Sequence, residues 1–346
     1  MKRFCRYRFP TLAAIVSAAV ISGCFLVSFA SPVAAADSDK DGPTYTDPKA
    51  PGEEYAAQGE FKGEVGKDEK HAWGAQVIAL GKGKYRLVGY PGGLPGDGYA
   101  AGGEIKTTEG SRSGDVVTFS GDQYEAKVRG DELTISAGDK VLGLLKRVHR
   151  ESPTLGKKAP EGALVLFDGS NADHFQGGKL TEDKLLLADS FSKEKFGDHT
   201  LHIEFRTPFR PEARGQARGN SGVYVQSRYE VQVLDSFGLS GEDNECGGIY
   251  KISKPLVNMC YPPLTWQTYD IDFVAAKYDS EGKKSAPGIV TIRHNGVVIH
   301  DKLELKSGTP GRLPEGADPQ PLYLQGHGNP VVYRNIWVVT NTKATR

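Results

Sequence analysis

Polar and apolar residues alternate along most of this chain with a period of two. No window of twelve residues carries the one-sided apolar stripe of a helix. In Leu201-His-Ile-Glu-Phe-Arg206 the apolar side chains face one way and His202, Glu204 and Arg206 the other. Between Trp266 and Phe273, residues Tyr269, Ile271 and Phe273 oppose Trp266, Thr268, Asp270 and Asp272. Ile289–His294 and Val297–His300 bracket Asn295-Gly296, the strongest short hairpin signal. Upstream, Trp73–Leu80 and Lys84–Tyr90 flank a Gly-Lys-Gly turn. Gly121-Asp122, Gly130-Asp131 and Gly138-Asp139 separate Val116–Ser120, Tyr124–Val128 and Leu133–Ser136. The pattern predicts an all-β protein: a small β-meander accessory domain over 58–150, a linker at 151–161, and a two-sheet sandwich or jelly roll over 162–342.

Composition agrees, with 43 glycines and 20 prolines to make turns and only two methionines. Lys+Arg and Asp+Glu both number 43, so no basic surplus exists to neutralise a phosphate backbone, and nucleic acid is not expected as a partner. The chain begins with Lys2, Arg3, Arg6 and Arg8, then an apolar run from Leu12 to Ala36 ending in Val-Ala-Ala-Ala before Asp37. That order reads as an export signal over 1–36. A retained membrane anchor is one alternative, and lipidation at Cys24 in Ile-Ser-Gly-Cys is another. Each places the folded part outside the cytoplasm, periplasmic or extracellular, touching a membrane only through the leader or a lipid. Residues 37–57 are polar and rich in Pro and Gly, and read as a disordered lead-in. Loss of the leader leaves Cys246 and Cys260, which in an exported chain suggest a disulfide, with free thiols the alternative.

Candidate chemistry concentrates in the C-terminal half. In Glu230-Val-Gln-Val-Leu-Asp235, Glu230 and Gln232 share a face, and a bulge would bring Asp235 to it. A solvated polar face is the plain alternative. His327 stands between two glycines in Gln325-Gly-His-Gly-Asn-Pro330, on a tight loop. Asn220 and Ser221 are placed to hydrogen-bond sugar hydroxyls, and Tyr224 shares a parity with Gln226 on the next strand. Trp266 and Tyr250 are candidate stacking platforms, and Arg218 and Lys251 candidate cations for a developing oxyanion. Asp270 and Asp272 invite a calcium reading, but two carboxylates fall short of a six-to-eight-oxygen shell. A divalent metal therefore stays open, with no ligand set assigned.

Five segments occur in series: Leu166-Phe-Asp-Gly169, Gly219-Asn-Ser-Gly-Val-Tyr224, Tyr229-Glu-Val-Gln-Val-Leu-Asp-Ser236, Trp266-Gln-Thr-Tyr-Asp270 and Gln325-Gly-His-Gly-Asn-Pro330. Together they resemble the bacterial 3-keto-disaccharide hydrolase family, also described as 3-keto-glucoside 1,2-lyase/hydratase, over about residues 160–340. The resemblance implies a concanavalin A-like jelly roll and an exported enzyme that cleaves 3-keto-glycosides, by hydrolysis or by elimination and hydration. On the chemistry of their side chains, Glu230, Asp235 and His327 are the expected catalytic residues. Arg218, Asn220, Tyr224, Gln226, Gln232, Tyr250, Lys251, Trp266 and Gln325 are expected to bind the oligosaccharide. The same strand also resembles the E-x-D-x-x-E strand of jelly-roll glucanases, but Gln232 replaces the middle acid, which speaks against an ordinary double displacement. A glycan-binding lectin-like module and a glucanase on unoxidised sugar are the competing functions.

Overall fold

The computed structural model describes residues 41–121 and 123–340, and among these no α-helix occurs. Eight longer strands come first, with the short pair Leu94–Pro95 and Gly98–Tyr99 set apart from them: β1 (Gly59–Val65), β2 (His71–Gly81), β3 (Lys84–Pro91), β4 (Lys106–Ser113), β5 (Val116–Ser120), β6 (Glu125–Arg129), β7 (Glu132–Ala137) and β8 (Lys140–Val148). Each pairs antiparallel with its neighbour in sequence, and β8 returns to β1. The expected meander therefore closes on itself as a barrel, which leaves no free edge. Alternation fills its interior: Phe61 from β1, Val77 and Ala79 from β2, and Tyr85 from β3 are all fully buried.

The sandwich uses ten longer strands: β9 (Leu164–Phe167), β10 (Ser190–Phe196), β11 (His199–Arg206), β12 (Ser221–Val225), β13 (Tyr229–Val233), β14 (Gln267–Val274), β15 (Gly288–His294), β16 (Val297–Leu305), β17 (Gln320–Leu324) and β18 (Val332–Thr340). One sheet runs β9-β18-β11-β14-β15-β16, and the other runs β10-β17-β12-β13 with Phe175–Gln176 at the edge. Leu201, Ile203 and Phe205 of the first sheet meet Val223, Val231, Val233 and Leu324 of the second in one apolar core. This is the jelly-roll sandwich that the alternation implied. Asn295 and Gly296 take φ of 50° and 80° between β15 and β16, the left-handed pair that a tight hairpin requires.

Two expectations about the connecting segments need correction. Within the supposed disordered lead-in, Tyr45 exchanges backbone hydrogen bonds of 2.9 Å with Phe209, and Glu53–Ala57 form a 3-10 turn. Tyr45 and Tyr55 rings pack on Phe209, so apolar burial orders a segment whose composition looks unstructured. The linker is also no free tether: Ser152 and Thr154 bond Thr268, Thr154 bonds Asp270, and the Gly156 amide donates to Glu204. Residues 1–40, with the export signal and Cys24, lie outside the described residues.

Barrel and sandwich share core. Phe209 and Leu264 from sandwich loops are buried among Phe61, Val77 and Tyr85 of the barrel. Arg150 forks onto the buried Glu60 at 2.6 and 2.7 Å. They fall within one compact unit.

Candidate active site

β12 and β13 are antiparallel neighbours in which Tyr224 faces Glu230 and Gly222 faces Gln232. Because the pleat alternates, Val223, Val231 and Val233 point into the core while Tyr224, Glu230 and Gln232 share the opposite face. An open cleft of about 250 Å³ lies over that face. Gln216, Asn220, Tyr224, Glu230, Gln232, Tyr250, Lys251, Gln325 and His327 line it, with Pro310 and Gly311 from the loop before β17.

Neighbouring loops deliver the remaining side chains. Residues 246–251 run along β13: the Gly247 amide donates to the Gln232 carbonyl, the Gln232 amide to the Gly248 carbonyl, and the Tyr250 amide to the Glu230 carbonyl at 3.2 Å. Lys251 then adopts φ 58°, which turns its side chain to the cleft rim. The His327 loop is pinned at Asn329, whose Oδ1 accepts from the Gly219 amide and from Arg210. Gly328 at φ 68° completes that turn, and His327 itself is exposed.

Among the described residues Glu230 is the one carboxylate lining the cleft. Burial pushes its carboxyl up to about 7, and only partly is this offset by Tyr224, whose hydroxyl donates to Oε2 at 2.7 Å. Oriented with its nitrogen toward Glu230, the Gln232 amide donates to Oε1 at 2.8 Å, and amide orientations follow from the hydrogen-bond network. A Cβ at Gly222 would collide with Glu230 Oε1, so the glycine makes the carboxylate's seat. Gln325 donates to the Tyr224 hydroxyl at 3.3 Å, while its buried Oε1 has no partner among the described residues. A carboxyl poised near neutrality, with a cation and an imidazole along the same cleft, can take or give a proton at working pH.

Other expected site residues lie elsewhere. Asp235 is buried and paired with Arg218 at 2.8 Å. β13 shows no register shift against β12, Leu234 enters the core, and the chain turns away before Asp235 reaches the polar face. Arg218 also donates to the Pro211 and Ala79 carbonyls, so this ion pair ties the sandwich to the barrel. Gln226 sits at φ 52° in the β12–β13 turn and donates to the Phe196 carbonyl, buried away from the cleft. Trp266 carries the guanidinium of Arg334 at 4.0 Å and of Arg206 at 4.9 Å on its ring, over the other sheet. Ser221 is fully buried against the Gln325 carbonyl and the Tyr333 hydroxyl. Gln216 was missed by sequence reasoning, although its place four residues before Asn220 in the same loop was the available signal.

The cysteines are free, buried thiols in place of the expected disulfide; Cys246 contacts the Tyr269 hydroxyl and Cys260 the Leu234 carbonyl. The two acids considered for calcium have protein partners. Asp270 is engaged by His202, Thr154 and Lys157, and Asp272 by Thr200 and Arg293. Among the described residues no three His, Cys, Asp or Glu side chains group to hold a metal ion.

No curated protein matches the sequence. Two crystal structures from Parabacteroides distasonis ATCC 8503, each described as a proposed glycosyl hydrolase, are similar to it. The first, at 2.13 Å resolution, is 32% identical over 53% of this chain and 85% of that one, with a TM-score of 0.48. The second, at 1.70 Å, is 16% identical over 55% and 98%, with a TM-score of 0.39. A family model, the 3-keto-alpha-glucoside-1,2-lyase-like domain, matches residues 162–339, the stretch that builds both sheets and the cleft between their loops. On that match the chain belongs to the 3-keto-alpha-glucoside-1,2-lyase-like family, a carbohydrate-active one.

Proposed function

We propose that this protein is an exported enzyme that cleaves the glycosidic bond of 3-keto-glycosides by elimination followed by hydration. The observation that carries this reading is the single carboxylate of the cleft. A glycosidase acting on unoxidised sugar needs two carboxyl groups about 5–10 Å apart, and with Asp235 paired to Arg218 the cleft offers only Glu230 among the described residues. A 3-keto sugar needs one base. Its C3 carbonyl acidifies the C2 proton, which Glu230 removes; the electron pair passes into the C3 oxygen. That enolate re-forms the carbonyl, the C1–C2 double bond forms, and the C1–O1 bond breaks. His327, also on the cleft, protonates the departing O1, and Lys251 offsets the enolate charge. Water adding at C1, with a proton returned to C2, completes net hydrolysis. Asn220 and Gln216 on the cleft wall are the side chains proposed to hydrogen-bond sugar hydroxyls.

The test is incubation with 3-keto-trehalose and with trehalose in deuterated water. Turnover of the keto sugar alone, with deuterium at C2 of the product, is the expected result. Glu230→Gln should lower that turnover by about 10²–10⁴, the usual worth of general acid–base catalysis. Product without deuterium at C2 would exclude elimination. Binding of both sugars without turnover would make the cleft a lectin-like site.

A further inference from the structure

The barrel contains a second cavity, unrelated to the cleft. Its lining comes from strand ends: Val65 of β1, Trp73 and Ala75 of β2, Gly89 of β3, Ala126 of β6 and Ile135 of β7 are among them. In the barrel register Val65, Trp73 and Gly89 lie near one end of their strands, with Val65 paired to His71 and Ala75 to Gly89. At the opposite end Phe209 and Leu264 are packed in as a plug. The cavity measures about 200 Å³ and almost everything that faces it is carbon.

Its cause is legible in the residues. Barrel interiors close by filling inward positions with bulky side chains. Here Ala75, Gly89 and Ala126 take positions that Val, Leu or Phe fill elsewhere in the same barrel. A Cβ at Gly89 would already lie 3.4 Å from the Trp73 ring, so the indole occupies the room that glycine leaves. The pocket is open at its mouth, where Lys106 is exposed, and its apolar walls offer ordered water too few of the two to four polar partners it needs. An apolar cavity of about 150 Å³ is enough to hold benzene.

We infer that the barrel is a binding module for a small, uncharged, single-ring aromatic molecule, seated against Trp73 between Ala75 and Ala126. The indole and the Tyr124 ring supply aromatic faces. Lys106 at the rim is already paired with Glu104, so no free charge there selects an anion.

Fluorobenzene is the probe, followed by fluorine NMR on the full chain. Saturable binding is expected, and Ala126→Leu should weaken it about tenfold or more because the added carbons take the ligand's volume. Ala75→Val, a smaller filling, should weaken it less and guards against a variant that fails to fold. Neither change should alter turnover in the sandwich cleft, where neither residue lies. Absence of saturable binding to the native chain, or equal binding to well-folded filled variants, would overturn the assignment. So would binding that emerges only when the Leu12–Ala36 apolar run is replaced by serine and glycine, since the chain's own segment would then be the occupant.

Discussion

Glu230 is costly to keep as it is. Burial holds its carboxyl at about 7 against an ordinary 4.5, so the folded state binds a proton that the unfolded state has lost between those values. Stability therefore falls as pH rises from about 4.5 to 7, and above 7 the full penalty of the buried charge is present. Glu230→Gln removes it. The variant should be slowed as stated above yet more stable at pH 8, by about 1–3 kcal/mol, as measured by urea unfolding. If Glu230 is the base, activity should rise with pH through about 7. Tyr224→Phe deletes the hydrogen bond that favours the ionised form and should move that limb upward, while the fold survives because the ring keeps its packing against Tyr323. An unmoved limb would assign the titration to another group.

At the scale of elements, the strap 150–158 is held to β11, β14 and β18 by polar contacts. His202 bonds Asp270 at 2.9 Å and lies 3.6 Å from Glu204, with its ring stacked on Trp337. Burial opposes the imidazolium, but the two carboxylates outweigh it, and the His202 pKa is raised. Burial likewise opposes ionised Glu204, yet His202, Asn335, Arg334 and the Gly156 amide hold its carboxyl at about 2. The histidine's contribution is complete below its unfolded value near 6.5 and is lost as pH rises through its folded value. That of Glu204 is complete above 4.5 and is lost as pH falls toward 2. The strap should thus be tightest between about pH 4.5 and 6.5, and the protection factor of the Gly156 amide in hydrogen exchange should peak there. His202→Phe, which leaves two buried carboxylates short of a donor, should cost about 1–3 kcal/mol and flatten that peak.

For the whole molecule, the decisive contact is the plug. Phe209 is fully buried inside the barrel although it belongs to a sandwich loop, and Arg218 and Arg214 reach barrel carbonyls from the same stretch. Phe209→Ala should cost about 3–5 kcal/mol, and calorimetry should show barrel and sandwich melting in one transition in the native chain. A chain starting at residue 160 would expose Phe209 and Leu264 and leave Arg218 without its barrel acceptor, so it should aggregate. A soluble, cooperatively folding fragment would show the plug to be dispensable.

How much of this was legible in advance depended on range. Alternation with period two, Asn295-Gly296 and the evenly spaced Gly-Asp turns were enough for an all-β chain with a meander followed by a sandwich, because pleat and turn chemistry act between near neighbours. Glu230 and Gln232 could be put on one face for the same reason, whereas Tyr224 opposite Glu230 came only with the pairing of β12 and β13. The fate of Asp235 could not, since it depends on where a strand ends and on Arg218 seventeen residues away. Nor could closure of the barrel, the ordering of residues 41–57, or the meeting of Glu230, Lys251 and His327 in one cleft. Those rest on contacts between distant segments, whose loop-closing cost is met only when the whole core is buried at once.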